Sequence, residues 1–332
     1  MPDISVVALN YKTRDLLHDC LRSLLAHADG LDLEVIVVDN ASGDGSAEMV
    51  REKFPQVALA VNEENVGYSR GTNRGIRMSS APYILLLNPD TVVGAGALRG
   101  MYEYMESHAD AAIVGPRMVG EDGDYQQSCF HFTLLDARHA LLYLLVLLGG
   151  LGSSMFGMST DPAGDGRCPI EVDWVYTACA LVRARALEEV GLLDEGLFLY
   201  GEDMDLCYRV KRAGWKTVYL PGVEITHYGN RSGIQVFGEQ KGYTRARIYV
   251  DGIDYFQRKY FSPVHSYIIR ALICAGSAAA AAVLGALFIS RRGDDATGAR
   301  CAYAARVARA SFISLLARRG APGQGMKERR KG

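Results

Sequence analysis

The order of apolar and amphipathic segments predicts an α/β fold on a mostly parallel central sheet, with hydrophobic, membrane-associated helices at the C-terminal end. Three observations carry this expectation. Apolar runs alternate with helical patterns through the first half, acids and amides stand where those runs end, and a long apolar stretch precedes a basic tail. Alternation of this kind belongs to βαβ units.

Ile4–Leu9 reads as a strand and Leu16–Ala26 as a helix, a pairing repeated by Leu33–Val38 with Ser46–Phe54 and by Val57–Val61 with Thr72–Ser79. Asp44 or Ser46 suits the cap of the second helix. Tyr83–Leu87 and Ala111–Gly115 add strands. Leu134–Leu151 is too short to span a bilayer and reads as a core helix, an interfacial segment or a flap. Ala186–Val190 and Met204–Ala213 look helical, Thr217–Leu220 looks like a strand, and Pro221-Gly222 marks a turn.

Ile268–Ile289 is apolar apart from Arg270 and small polar residues, long enough for about 30 Å of hydrocarbon. A single crossing would place the basic residues from Arg291 onward outside, against the positive-inside tendency. A second apolar stretch, Ala299–Leu316, relieves that conflict if it returns across or lies in the interface. We therefore expect membrane association with both flanks cytosolic, the basic tail facing anionic lipid.

A chain of 332 residues, 49% of them hydrophobic, can bury one large domain or two. Its net charge of -2 excludes a general nucleic-acid binder. Seven cysteines without C-x-x-C spacing read as reduced thiols. With strand-like Ile4–Leu9 opening the chain, a cytoplasmic catalytic part is expected.

The chemistry concentrates in Tyr200-Gly201-Glu202-Asp203-Met204-Asp205, three carboxylates within four positions at a helix start. Mutually repelling acids are gathered where a metal, a phosphate or proton transfer justifies it. Asp203 is the candidate base, taking the proton of an attacking hydroxyl. Glu202 and Asp205 orient neighbours or begin the helix, and Arg209 pairs with Asp205 at i,i+4. Asn88-Pro89-Asp90 sets Asp90 at a strand's carboxyl end, where open sheets bind ligands. There one carboxylate can serve Mg²⁺ or Mn²⁺ while phosphates and water complete the shell.

Asp39-Asn40-Ala41-Ser42 ends another buried strand, as an acceptor for a nucleoside or as a helix cap and turn. Asn65-Val66-Gly67-Tyr68-Ser69-Arg70-Gly71-Thr72-Asn73-Arg74-Gly75 brings glycines, amides and two arginines to a helix entry, suited to a diphosphate or to a structural turn. It is not G-x-G-x-x-G, so a nicotinamide cofactor is not indicated. His227 is a metal or phosphate ligand or a structural histidine.

These motifs, together with Val172-Asp173-Trp174-Val175 to Arg183, resemble in order the inverting nucleotide-sugar glycosyltransferases of family 2, over about Ile4–Gly233. The likeness is greatest to the rhamnosyltransferase-type enzymes of bacterial cell-surface glycans. The resemblance implies a GT-A fold, with a catalytic domain at 1–260, divided into a nucleotide-sugar half at 1–115 and an acceptor half at 116–260, before a membrane-associated tail at 261–332. It implies nucleotide-sugar contacts from Asn10, Asp39, Asn40, Asn65, Gly67, Arg70, Asn73 and Asp90. Catalysis would fall to Asp203 and Glu202, acceptor contacts to Trp174 and Thr177, and a Mg²⁺ or Mn²⁺ ion to Asp90 and His227.

Two positions depart from the pattern: Asn88 and Pro89 replace further acids, and Thr177 stands where relatives usually have glycine. No Q-x-x-R-W element of processive synthases follows the acidic motif. The expected reaction moves one sugar, L-rhamnose from dTDP-rhamnose, to a polyprenyl-diphosphate-linked glycan at the cytoplasmic face of the cell membrane. A UDP-sugar-dependent hexosyltransferase and a non-catalytic nucleotide-sugar-binding membrane protein are the alternatives.

Overall fold

The computed structural model describes residues 1–132, 166–229, 241–290 and 295–316. The Leu134–Leu151 segment and the basic tail past residue 316 lie outside them. The elements are β1 (Ile4–Asn10), α1 (Arg14–Ala26), β2 (Leu33–Asp39), α2 (Ser46–Lys53), β3 (Ala58–Val61), α3 (Tyr68–Ile76), β4 (Tyr83–Leu87), β5 (Thr91–Val93), α4 (Ala97–Ser107), β6 (Ala111–Val119), β7 (Tyr125–Gln126) and β8 (Cys129–Phe130). There follow β9 (Ile170–Val172), β10 (Trp174–Val175), β11 (Cys179–Arg183), α5 (Ala184–Val190), α6 (Glu202–Arg212), β12 (Lys216–His227), α7 (Lys241–Tyr260), α8 (Pro263–Ser290) and α9 (Asp295–Leu316).

The main sheet runs β3-β2-β1-β4-β11-β6-β12-β5, with β7 on β6 and β9 on β12. Strands β3, β2, β1 and β4 are parallel, β11 is antiparallel to β4 and β6, and β12 is parallel to β6. The sheet is covered on both faces, so its strands read as continuous apolar runs. Val6 and Leu85 join the cluster that packs Leu17, Leu21 and Leu24 of α1 and Met101 of α4. Val7 and Leu86, one residue on in each strand, join the opposite cluster with Leu187 of α5 and Leu206 and Val210 of α6. Each such side chain stabilises the fold by about 1.5–3 kcal/mol.

Helix α3 begins four residues earlier than the sequence suggests, so Arg70, Gly71, Asn73 and Arg74 lie on the helix and not on a loop entering it. The reason is packing: a Cβ at Gly71 would stand 2.4 Å from Leu9 Cδ1, and one at Gly75 would stand 2.4 Å from Val7 Cγ1. These glycines let the helix axis settle onto β1. Pro221-Gly222 also differs from expectation: β12 continues through it, with an irregularity in register against β6 between Leu220 and Glu224. Proline lacks a ladder donor and is accommodated at such breaks.

The described residues fall into two compact units, 1–131 with 166–198 and 202–229, and 132 with 199–201, 241–290 and 295–316. This division groups α7 with the C-terminal helices. In the second unit α9 runs antiparallel to α8, as Cys274 Sγ donates to Ala308 O at 3.6 Å and Cys301 Sγ to Ala281 O at 3.3 Å. Among the described residues one helical segment, Pro263–Val283, is long and apolar enough to cross a membrane, with mean hydropathy 1.6 and only 24% of it buried. Arg270 in that segment is not solitary: Asp254 Oδ1, 3% exposed, lies 3.2 Å from Arg270 Nε and 3.1 Å from Arg258 Nε. Arg270 Nη1 also donates to Ser314 O at 3.1 Å.

Candidate active site

Parallel strands β1, β2 and β4 end together, and register places Asn10 beside Asp39. Asp39 is 3% exposed. Its Oδ1 accepts from Asn10 Nδ2 at 2.8 Å and Ser42 Oγ at 2.6 Å, and its Oδ2 accepts from Ser42 N at 3.0 Å. Thr13 Oγ1 donates to Asn10 Oδ1 at 2.6 Å, so Asn10 serves to hold the acid in place. Ala41 at φ 61° turns the chain sharply after the strand.

Asn40 binds the next loop. Its Nδ2 donates to Asn65 Oδ1 at 2.8 Å and to Gly67 O at 3.3 Å, while its Oδ1 accepts from Asn62 Nδ2 at 2.9 Å and Val66 N at 3.1 Å. Gly67 is approached closely by Phe198: Tyr68 N donates to Phe198 O at 2.6 Å, and a Cβ on Gly67 would lie 2.7 Å from that oxygen. Asn73 is buried and pins a loop, donating from Nδ2 to Leu193 O at 2.8 Å and accepting from Leu193 N at 3.0 Å. Arg70 is partly exposed, with Nε 3.5 Å from Glu195 Oε2.

Asp90 is fully buried in the turn between β4 and β5, and its backbone oxygen accepts from Tyr228 N at 2.9 Å. Thr91 Oγ1 donates to Asn88 O at 2.7 Å, closing the turn from within. Pairing of β12 with β5 sets His227 opposite Thr91. His227 Nε2 stands 3.6 Å from Asp90 Oδ1, beyond hydrogen-bond length. A buried carboxylate facing an imidazole nitrogen across that gap fits a divalent cation with few protein ligands, the remainder of its shell being phosphate and water. Among the described residues no cluster of three or more His, Cys, Asp or Glu side chains could hold a metal alone.

Glu202 and Asp203 open α6, where the helix dipole favours negative charge. Burial pushes both carboxyls above the ordinary range, and the charge of Asp203 pushes Glu202 further. Met204 N donates to Asp203 Oδ1 at 2.7 Å and opposes the rise there. Glu202 Oε2 is buried without a hydrogen-bond partner among the described residues. Two neighbouring acids held at different proton affinities are suited to different duties. Asp205 is committed elsewhere, to Arg209 Nε at 2.9 Å, as its i,i+4 spacing predicts. Arg209 donates its other protons to Val190 O, Gly191 O and Leu192 O, which removes it from the chemistry.

Tyr68 is a neighbour of the acid pair that sequence reasoning missed, though it lies inside the glycine-rich stretch. Its hydroxyl donates to Thr177 O and Oγ1, each at 3.3 Å. Burial raises the phenol's proton affinity, and the negative charge of nearby Glu202 and Asp203 raises it further. Thr177 and the acid pair therefore share one locale. Trp174 stacks on Phe130 at 4.0 Å between ring centroids, and Tyr176 meets both rings edge-on. Gln126, whose amide contacts His227, was also missed, as short β7 gives no periodic signal for it.

Buried acids thus lie at the carboxyl edge of the α/β sheet, and an acid pair opens α6. Residues 4–191 match the family described as glycosyl transferase family 2, and residues 162–242 match glycosyltransferase-like family 2. The chain belongs to glycosyltransferase family 2 and is a glycosyltransferase. It is 28% identical over 238 residues to the N-acetylglucosaminyl-diphospho-decaprenol L-rhamnosyltransferase of Mycobacterium tuberculosis, covering 68% of this chain and 76% of the relative. It is 24% identical over 250 residues to rhamnosyltransferase WbbL of Escherichia coli K12, covering 71% and 87%.

Two solved structures share the fold. The mannosyltransferase PcManGT of Pyrobaculum calidifontis, in complex with GDP-Man and Mn²⁺, aligns with TM-score 0.56 at 17% identity, over 95% of this chain and 89% of that one. GalNAc-T7 with UDP, GalNAc and Mn²⁺ aligns with TM-score 0.54 at 15% identity, over 78% and 50%.

Proposed function

We propose that this enzyme transfers L-rhamnose from dTDP-rhamnose, with inversion, to a hydroxyl of a lipid-linked glycan during cell-surface polysaccharide synthesis. The observation that carries the reaction type is the Glu202–Asp203 pair, buried, mutually repelling and differently hydrogen-bonded. Asp203 takes the proton as the acceptor oxygen bonds to the anomeric carbon and the bond from that carbon to the diphosphate breaks. Glu202, with the greater proton affinity of the two, keeps its proton and donates a hydrogen bond to the acceptor side. Trp174 and Thr177 line that side. Asp39, fixed by Asn10, binds the nucleoside; Asn40, Asn65, Gly67 and Asn73 shape the loop around it, and Arg70 faces the diphosphate.

Asp90 and His227 would hold Mg²⁺ or Mn²⁺, which when bound neutralises charge on the departing nucleoside diphosphate. The rhamnosyl group is supported by the names of both the mycobacterial and the Escherichia coli relatives, and the polyprenyl-diphosphate acceptor by the name of the mycobacterial one. Membrane attachment, which we place at the cytoplasmic face, is supported as attachment by α8 and α9, which expose Val264, Tyr267, Ile268, Tyr303, Phe312 and Leu316.

Thermal unfolding of the detergent-supported protein with Mg²⁺ or Mn²⁺ and a panel of nucleotide sugars tests the donor. Protection by dTDP-rhamnose above UDP-sugars supports the proposal. Protection by a UDP-sugar keeps the reaction and replaces the donor, as in the hexosyltransferase reading.

A further inference from the structure

The side chain of Gln126 meets His227 twice. Its Nε2 donates to the backbone oxygen of His227 at 2.8 Å, and its Oε1 stands 2.9 Å from His227 Nδ1. The first contact fixes how the amide is turned, because a backbone carbonyl only accepts and must face the NH₂ group. The other amide atom is then an oxygen, which also only accepts. Nδ1 must therefore carry the ring proton for the second contact to be a hydrogen bond. In the neutral ring Nε2 is left with its lone pair, and it is Nε2 that faces Asp90 Oδ1 at 3.6 Å. A lone pair and a carboxylate oxygen that face one another repel unless something positive lies between them.

We infer that Gln126 is a positioning residue that sets the tautomer of His227 and so builds the cation-binding end of the active site. The inference rests on the proposed role of His227 as a metal ligand. Strand pairing supplies the alignment: Gln126 is in register with Met118 of β6, and Met118 is in register with Ile225 of β12, two residues before His227. One amide thus reads both the backbone and the ring of a single histidine, holding its main chain and its ring rotation together. Ligands of metals are commonly oriented in this way, and loss of the orienting group costs about 10- to 100-fold in metal affinity. Gln126 also borders an open cavity of about 540 Å³ with Tyr228 and Gly229, so a replacement side chain meets space and not packed core.

The test uses the full chain. Nitrogen-15 spectra of imidazole-labelled protein should show His227 protonated at Nδ1; a ring protonated at Nε2 overturns the inference without any variant. Mn²⁺ affinity is then followed from the paramagnetic signal of the free ion, with dTDP or UDP present. Gln126→Leu should weaken Mn²⁺ binding by about 10- to 100-fold and mix the two tautomers. Gln126→Glu keeps an acceptor opposite Nδ1 while giving up the donor to the His227 backbone oxygen, so it should retain the Nδ1-protonated tautomer that Gln126→Leu loses, a rescue that loss of general structure would not give. Unchanged tautomer and affinity in Gln126→Leu, with Mn²⁺ lost in His227→Ala, overturns the role of Gln126 while leaving His227 as a ligand. Unchanged affinity in His227→Ala removes the ligand reading itself.

Discussion

Glu202 and Asp203 are both buried, but the charge of Asp203 raises Glu202 further while the hydrogen bond from Met204 N opposes the rise at Asp203, and that difference suits them to different duties. Asp203 accepts from Met204 N, so of the two it is the acid that gives up its proton first. Asp203→Asn should lower transfer by about 10²- to 10⁴-fold while nucleotide-dependent thermal protection persists, which separate rate and melting measurements will check. Because burial raises Asp203, the acid limb of the kcat profile should lie well above the ordinary aspartate value of about 3.9. Stability carries the opposite sign. A carboxyl whose folded proton affinity is raised binds more protons folded than unfolded, so stability falls as pH rises from the unfolded value through the folded one. Glu202→Gln should therefore melt a few degrees higher than the parent at pH 8, with the gain vanishing near pH 4; melting curves at the two pH values decide it.

At the scale of elements, the glycine-rich segment shows how packing overrides a local pattern. Gly67 has φ 87° and ψ 174°, a region open essentially to glycine alone. Gly67→Ala should cost on the order of 1–3 kcal/mol from backbone strain, with the clash against Phe198 adding to it, measurable as a lowered denaturant midpoint. Strands β1, β2 and β4 were legible because continuous apolar runs with polar ends have few other readings. Asp39 and Asp90 follow such runs, and Asp203 stands in the first turn of α6, so their positions in the fold were legible although their roles remain proposals. Tyr68 and Gln126 escaped because their partners, Thr177 and His227, lie about a hundred residues away and no spacing rule connects them. The start of α3 was misplaced since glycine is a poor helix former, and its value there lies in contact with Leu9 and Val7. The continuation of β12 past Pro221 was hidden for a related reason, as the strand tolerates the proline only through a register irregularity.

At the scale of the molecule, exposed large apolar side chains among the described residues are concentrated on two helices. The antiparallel register of α8 and α9 brings Val264, Tyr267 and Ile268 to the same end of the hairpin as Phe312 and Leu316. Burying one such side chain contributes about 1.5–3 kcal/mol, so Tyr267→Glu combined with Phe312→Glu should weaken binding to phosphatidylglycerol vesicles by more than about tenfold. Flotation of the two proteins with vesicles gives the comparison. The trio of Asp254, Arg258 and Arg270 adds a requirement of timing. Arg270 is compensated by a carboxylate belonging to an earlier helix, so until α7 has docked, the apolar segment Pro263–Val283 carries a charge without its carboxylate partner. Should this segment enter lipid, doing so before α7 has formed would cost more than doing so after, which couples folding of the earlier helix to membrane attachment.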